Sequence, residues 1–255
     1  MPEKLQAILQ HIGDLRRRLM WIIGVLLLTA IIGLFISQQM IAYLKSVPPG
    51  STFEWNAFSP WDAIKVYINV TIAFACVITL PFTLFQIWRF VKPGLRKKEQ
   101  RATLRYIPFV CLMLIVGLAF AYFVVFPMAF KFTTRMTENM HLIPTYGVSQ
   151  YFGFMFSLVI PVSLAFELPV LVMFLTKLRI LNPKKLNKFR RYAYFILVVI
   201  ATMISPPEFI SHLMVAVPLL VLYEISVGIS SFVYRKQLIA DQQFEADADD
   251  ERHNA

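Results

Sequence analysis

Six long apolar runs divided by short polar links limit what this 255-residue chain can become. They cover residues 19–36, 66–88, 107–132, 151–176, 192–205 and about 210–234. A run of about 18 or more apolar residues is too long for an ordinary soluble core and long enough, as a helix, to cross a bilayer. In hydrocarbon every backbone polar group needs a partner within the chain, and a helix supplies them all within one segment. The expectation is an all-α membrane protein with six transmembrane helices. Composition agrees: 58% of residues are hydrophobic and 16% charged, against about 25% charged in soluble domains.

Charge orders the runs. The link 89–105 carries seven basic residues (Arg89, Lys92, Arg96, Lys97, Lys98, Arg101, Arg105) and a single acid, Glu99. The link 177–191 also carries seven, the segment before the first run four and the tail three. The remaining links hold two, two and none, so 21 of the 25 Lys and Arg residues fall on one side of a six-span layout. The positive-inside rule then puts both termini and both basic links in the cytoplasm. The net charge of +10 is thus accounted for by topology and anionic lipid, and no nucleic acid is expected.

The chain divides into an N-terminal helix 1–18, a membrane domain 19–235 and a tail 236–255. In the first, Leu5, Ile8, Leu9, Ile12, Leu15 and Leu19 fall on one helical stripe with Asp14 almost opposite, as in a helix lying on a membrane surface. The first run is longer than a signal-peptide core and no small-x-small cleavage site follows, so it reads as a retained span. The link 37–65 contains a Pro48-Pro49-Gly50 turn and the aromatics Trp55, Phe58 and Trp61, suited to the headgroup region. The tail is acidic and polar, and is expected to be disordered.

Pro81, Pro127, Pro161, Pro169 and Pro218 interrupt four of the runs. Each removes a backbone hydrogen bond and favours a kink, and kinked helices can enclose a concave bundle. The fifth run is short: its 14 residues reach about 21 Å at 1.5 Å per residue, against a hydrocarbon core near 30 Å. Either the basic flank is drawn in, with Arg190 and Arg191 snorkelling, or the bilayer thins there.

Two carboxylates lie within runs. Glu167 precedes Lys177 by ten residues and Glu224 precedes Arg235 by eleven, so both sit about 15 Å from the cytoplasmic edge. A charge at that depth costs about 2.5–3.5 kcal/mol on insertion scales, so each should face protein or water or carry a proton. Each can be a buried group bonded to a neighbouring helix, or a functional one. Cys76 and Cys111 both fall inside runs and read as small core residues. The four histidines show no metal-ligand spacing, and no nucleotide loop, nucleophile elbow or metalloprotease motif is present. Neither a metal nor a cofactor nor an enzymatic activity is expected.

Several motifs match one known family. The segment His11-Ile12-Gly13-Asp14-Leu15-Arg16-Arg17-Arg18-Leu19 resembles the H-x-x-E-L-R-x-R opening of the TatC family, core subunits of the twin-arginine protein translocase. Phe58-Ser59-Pro60 is similar to its F-x-P element, and Phe166-Glu167-Leu168-Pro169 to its F-E-x-P. The stretch from Gln86 through Arg89, Pro93 and Leu95 to Glu99 and Arg101 resembles its first cytoplasmic loop. Arg190-Arg191-Tyr192, Ser205-Pro206-Pro207-Glu208 and Tyr223-Glu224 match later motifs, and the order holds from about residue 10 to 235.

The resemblance implies a receptor for twin-arginine signal peptides in the cytoplasmic membrane, and the core scaffold for export of folded proteins driven by the proton gradient. It assigns recognition to Asp14 and Glu99, with Arg17 and Arg101 beside them. Two guanidinium groups suit carboxylates that accept forked hydrogen bonds. It also implies single-span TatA- and TatB-type partners, lipid contact and a homo-oligomeric assembly. Phe58, Pro60, Glu208 and His212 are then docking or structural residues. The family usually has Glu where this chain has Asp14, and Asp where it has Glu208. A competing possibility is a proton-coupled small-solute transporter using Glu167 and Glu224 as its relay.

Overall fold

The structure, a computed structural model, describes residues 3–52, 54–91, 107–205 and 209–253. Six helical rods follow one another, with no strand longer than a single bridge among the described residues. The first is α1 (Glu3–Ser46), which leads through a 3₁₀ turn (Gly50–Thr52) to α2 (Asp62–Val91). The third rod consists of α3 (Ile107–Phe120), a π turn (Ala121–Val125) and α4 (Phe126–Asn139). The fourth is α5 (Val148–Ala165) followed by α6 (Leu168–Lys177). The fifth is α7 (Pro183–Ile204) and the sixth α8 (Phe209–His253). Five of the six rods are long and apolar enough to cross a membrane, α7 being the exception.

Several boundaries differ from the sequence reading. The surface helix expected over 1–18 is not a separate element, because α1 runs unbroken from Glu3 to Ser46. Between them lie Gly13, Gly24 and Gly33 but no proline, so nothing forces a turn. The helix also continues ten residues past the first apolar run, into what composition marks as a link. The tail expected to be disordered instead extends α8 to His253. After Gly228 it holds no Gly or Pro, and its alanines, glutamines and glutamates favour a helix. The short fifth run is the apolar end of a 22-residue helix, about 33 Å long. Its basic first half makes up the length missing from the apolar part.

Of the five prolines, only two coincide with breaks. Pro127 has no N–H to offer the preceding turn, and just before it the helix widens until Phe126 N–H bonds Ala121 O, five residues back. Pro169 would press its ring on the Ala165 carbonyl; α5 stops at Ala165 and Glu167 N–H bonds back to Leu164 O at 3.1 Å. Pro81, Pro161 and Pro218 lie inside helices that continue through them.

The central rod is α5, which packs against α2, α3, the π turn and α8. Phe126, Tyr151, Phe152, Met155, Leu158 and Leu219 are fully buried around it. Lipid tails are as apolar as these side chains, so close fit and hydrogen bonds, not expulsion of water, hold the rods together. Gly117 shows the fit. A Cβ there would lie 2.7 Å from Phe166 Cβ and 3.0 Å from Ser163 O, so only glycine lets α3 approach the α5–α6 break. Hydroxyl pairs join other rods: Thr29 to Thr79 at 3.1 Å and Ser37 to Thr71 at 2.7 Å between α1 and α2, Thr176 to Ser230 at 2.7 Å between α6 and α8.

At the end away from the basic links, two loops clasp each other. Val148 N–H donates to Asn56 O at 2.8 Å, and Asn56 pairs with Gly147 in a parallel bridge. Trp55 meets the Tyr151 ring edge-on at 4.9 Å, with the Lys45 ammonium 4.8 Å from the Trp55 ring centre.

Candidate functional site: a cleft at the basic end of the first helical pair

Helices α1 and α2 run antiparallel, so the start of one lies beside the end of the other. Between those ends opens a cavity of about 520 Å³, lined by Asp14, Arg17, Arg18, Trp21 and Val25 from α1 and Phe82, Phe85, Gln86 and Arg89 from α2. The α1 residues follow steps of three, one, three and four, and the α2 residues three, one and three. Each set is therefore one stripe on its helix, and the two stripes face each other. Leu15 and Leu19 are more than half exposed, on the apolar face turned away from the cavity.

Polar and apolar parts of the lining are sorted by depth. Asp14, Arg17, Arg18 and Arg89 form the mouth, whereas Trp21, Val25, Phe82 and Phe85 continue toward the middle of the pair. The Arg18 guanidinium lies 5.9 Å from the Phe90 ring centre, and the Phe85 and Trp88 rings stack at 5.7 Å. Gln86 is buried at the wall. Of the residues the sequence marked for recognition, Asp14 and Arg17 are brought together here. Glu99 and Arg101 lie outside the described residues, as does Glu208. Sequence reasoning did not place the aromatic floor, although the stripe spacing on α2 was available to it.

The intramembrane carboxylates are not joined. Glu167 is 8% exposed, at the α5–α6 break, and neither of its oxygens has a hydrogen-bond partner among the described residues. Glu224 is ion-paired to Arg190 and accepts a hydrogen bond from the Tyr194 hydroxyl, both on α7. The two acids thus have different surroundings, and Glu224 is explained by its partners on a neighbouring helix. His212 is hydrogen-bonded through Nδ1 to the Ser205 hydroxyl across the α7–α8 turn. Phe58 and Pro60 are exposed in the loop that starts α2. Their loop is fixed by Asp62, whose Oδ2 accepts the Phe58 and Ser59 N–H groups, each at 3.0 Å.

Fold and cleft together define a multi-pass helical membrane protein with a charge-lined cleft at one end of its first helical pair. Among the described residues no group of acids, histidines and cysteines could hold a metal ion. The model of the family described as "Sec-independent protein translocase protein (TatC)" matches residues 10–218. The chain is 42% identical to the Sec-independent protein translocase protein TatC of Halalkalibacterium halodurans, over 92% of this chain and 93% of that one. It is also 42% identical to TatCy of Bacillus subtilis, over 90% and 91% respectively. A crystal structure titled "Twin Arginine Translocase Receptor- TatC" superposes with a TM-score of 0.76 at 31% identity, covering 88% of this chain and 99% of that one. The chain belongs to the TatC family and is a component of a Sec-independent protein translocase.

Proposed function

We propose that this chain is the twin-arginine signal-peptide receptor and core scaffold of its translocase, set in the cytoplasmic membrane with both termini and both basic links on the cytoplasmic side. The observation that carries the reading is Asp14 at the mouth of the α1–α2 cleft, at the end of α2 from which the link bearing Glu99 departs. Asp14 and Glu99 then accept forked hydrogen bonds from the two arginines, and the surrounding cations disfavour tags that present fewer. Arg17 and Arg101 bound that site. Single-span TatA- and TatB-type subunits and further copies of this chain complete the assembly, and the proton gradient drives it. Phe58, Pro60, Glu208 and His212 serve docking or the shape of the outer turns. The relay reading is not favoured, since Glu224 is already held by Arg190 and Tyr194.

Binding of a twin-arginine peptide to the purified protein tests this. Hydrogen bonds to charged groups contribute about 1.5–3 kcal/mol, so Asp14→Asn and Glu99→Gln should each weaken binding about tenfold or more. A twin-lysine peptide should bind wild type comparably weakly. Unchanged affinity in both variants would refute the receptor role.

A further inference from the structure

Among the described residues, the mouth of the α1–α2 cleft sets three guanidinium groups, Arg17, Arg18 and Arg89, against the one carboxylate of Asp14. Arg18 Nε is buried and has no hydrogen-bond acceptor among the described residues. Directly beyond the arginines the walls are apolar, with Trp21, Val25, Phe82 and Phe85 in the same cavity. Val25 is eleven residues from Asp14 along α1, a depth of about 16 Å. The arginines therefore sit at interface depth and the aromatic floor at acyl-chain depth.

Few occupants suit both halves. A small soluble anion would satisfy the arginines and leave the floor uncovered. An apolar helix would cover the floor and leave the arginines unmatched. A phosphodiester joined to hydrocarbon chains meets both demands. Guanidinium groups bind phosphate oxygens through paired hydrogen bonds, and basic pockets between membrane helices are the usual form of a headgroup site.

We propose that this cleft is a binding site for an anionic phospholipid, its phosphodiester held by Arg17, Arg18 and Arg89 and one acyl chain lying along Trp21, Val25 and Phe82. The lipid contributes a negative charge to a mouth whose described side chains carry a surplus of two positive ones. A doubly cationic peptide then approaches Asp14 against less repulsion, so lipid and peptide assist each other. That last consequence rests on the receptor reading, whereas the lipid site itself does not.

The test begins with the full-length protein, delipidated in detergent and supplied with phosphatidylglycerol or phosphatidylcholine. Retained lipid is counted by native mass spectrometry. Phosphatidylglycerol should be retained in preference to phosphatidylcholine. The R18Q/R89Q variant should lose at least about tenfold of that retention, tenfold being the scale of one of the two charge-assisted contacts it removes. R235Q/K236Q, which removes two cations outside the cleft, should keep it. Val25→Trp, which fills the floor and spares every arginine, should lower it as well. Equal retention of both lipids, or of phosphatidylglycerol by wild type and R18Q/R89Q, overturns the proposal. So does inorganic phosphate that displaces the lipid and binds as tightly alone, because the site would then read a free anion.

Should R18Q/R89Q fail to fold, phosphatidylglycerol with a photoreactive tail decides the question on wild type. Crosslinks at Trp21, Phe82 or Phe85 support the site, and crosslinks confined elsewhere overturn it. Glu99→Gln should leave lipid retention unchanged, which separates failure of the lipid site from failure of the peptide site.

Discussion

Glu167 is the residue least at ease in its surroundings. It begins α6, whose dipole presents its positive end there, yet neither carboxylate oxygen is hydrogen-bonded among the described residues. A buried acid without partners lowers stability, and we propose that Glu167 takes part in transport. Glu167→Gln should leave twin-arginine peptide binding within about twofold, since among the described residues the cleft is lined by α1 and α2 and Glu167 is not part of it. It should raise thermal stability, by no more than the 2.5–3.5 kcal/mol or so that an intramembrane charge costs. Cargo export should nevertheless fall sharply. Full export by both the Gln and Ala variants would reduce Glu167 to a packing residue. Its position inside a run was legible in the sequence; its lack of partners was not, because that depends on which side chains α3 and α8 bring near.

Among elements, the broken fourth rod matters most, and the approach of α3 to the break depends on Gly117. Gly117→Val should destabilise the protein by about 1–3 kcal/mol, the usual result of overpacking a close helix contact. A lower unfolding temperature in detergent would report it. Gly153→Ala is the control, because a Cβ there meets nothing within 4 Å, and it should be neutral or slightly stabilising. If both variants unfold together with wild type, the contact carries no weight. The same rods show what hydropathy can and cannot reveal. It located the apolar centres of all six, since each is set by local composition. It missed the ends of α1 and α8, where polar residues continue a helix that nothing interrupts. Proline positions alone do not tell which helices are interrupted, because Pro81, Pro161 and Pro218 lie within continuous helices whereas Pro127 and Pro169 lie at breaks.

For the molecule as a whole, the distribution of Lys and Arg is the main guide to orientation, and the cleft lies at the end from which the basic links depart. A cysteine placed at Lys97 or Lys98 should react with a membrane-impermeant reagent only in inverted vesicles or opened cells. Reaction in intact cells would reverse the orientation and remove Asp14 from any signal peptide before export. The cleft was only half legible beforehand. Asp14 and Arg17 were marked by a motif, but the meeting of α1 and α2 that walls them with Phe82 and Phe85 is a long-range event that no local pattern encodes.

The hydroxyl pairs between α1 and α2 have a mechanical consequence. Ser37 also bonds Gly33 O, Thr71 bonds Tyr67 O, and Thr29 bonds Val25 O, each within its own helix. If the helices draw apart, these three hydroxyls keep a carbonyl to donate to, and none of their hydrogens is stranded in hydrocarbon. Parting the seam would thus leave these three hydroxyls an acceptor, whereas the Tyr67 hydroxyl, which donates across it to Leu34 O, would lose its own.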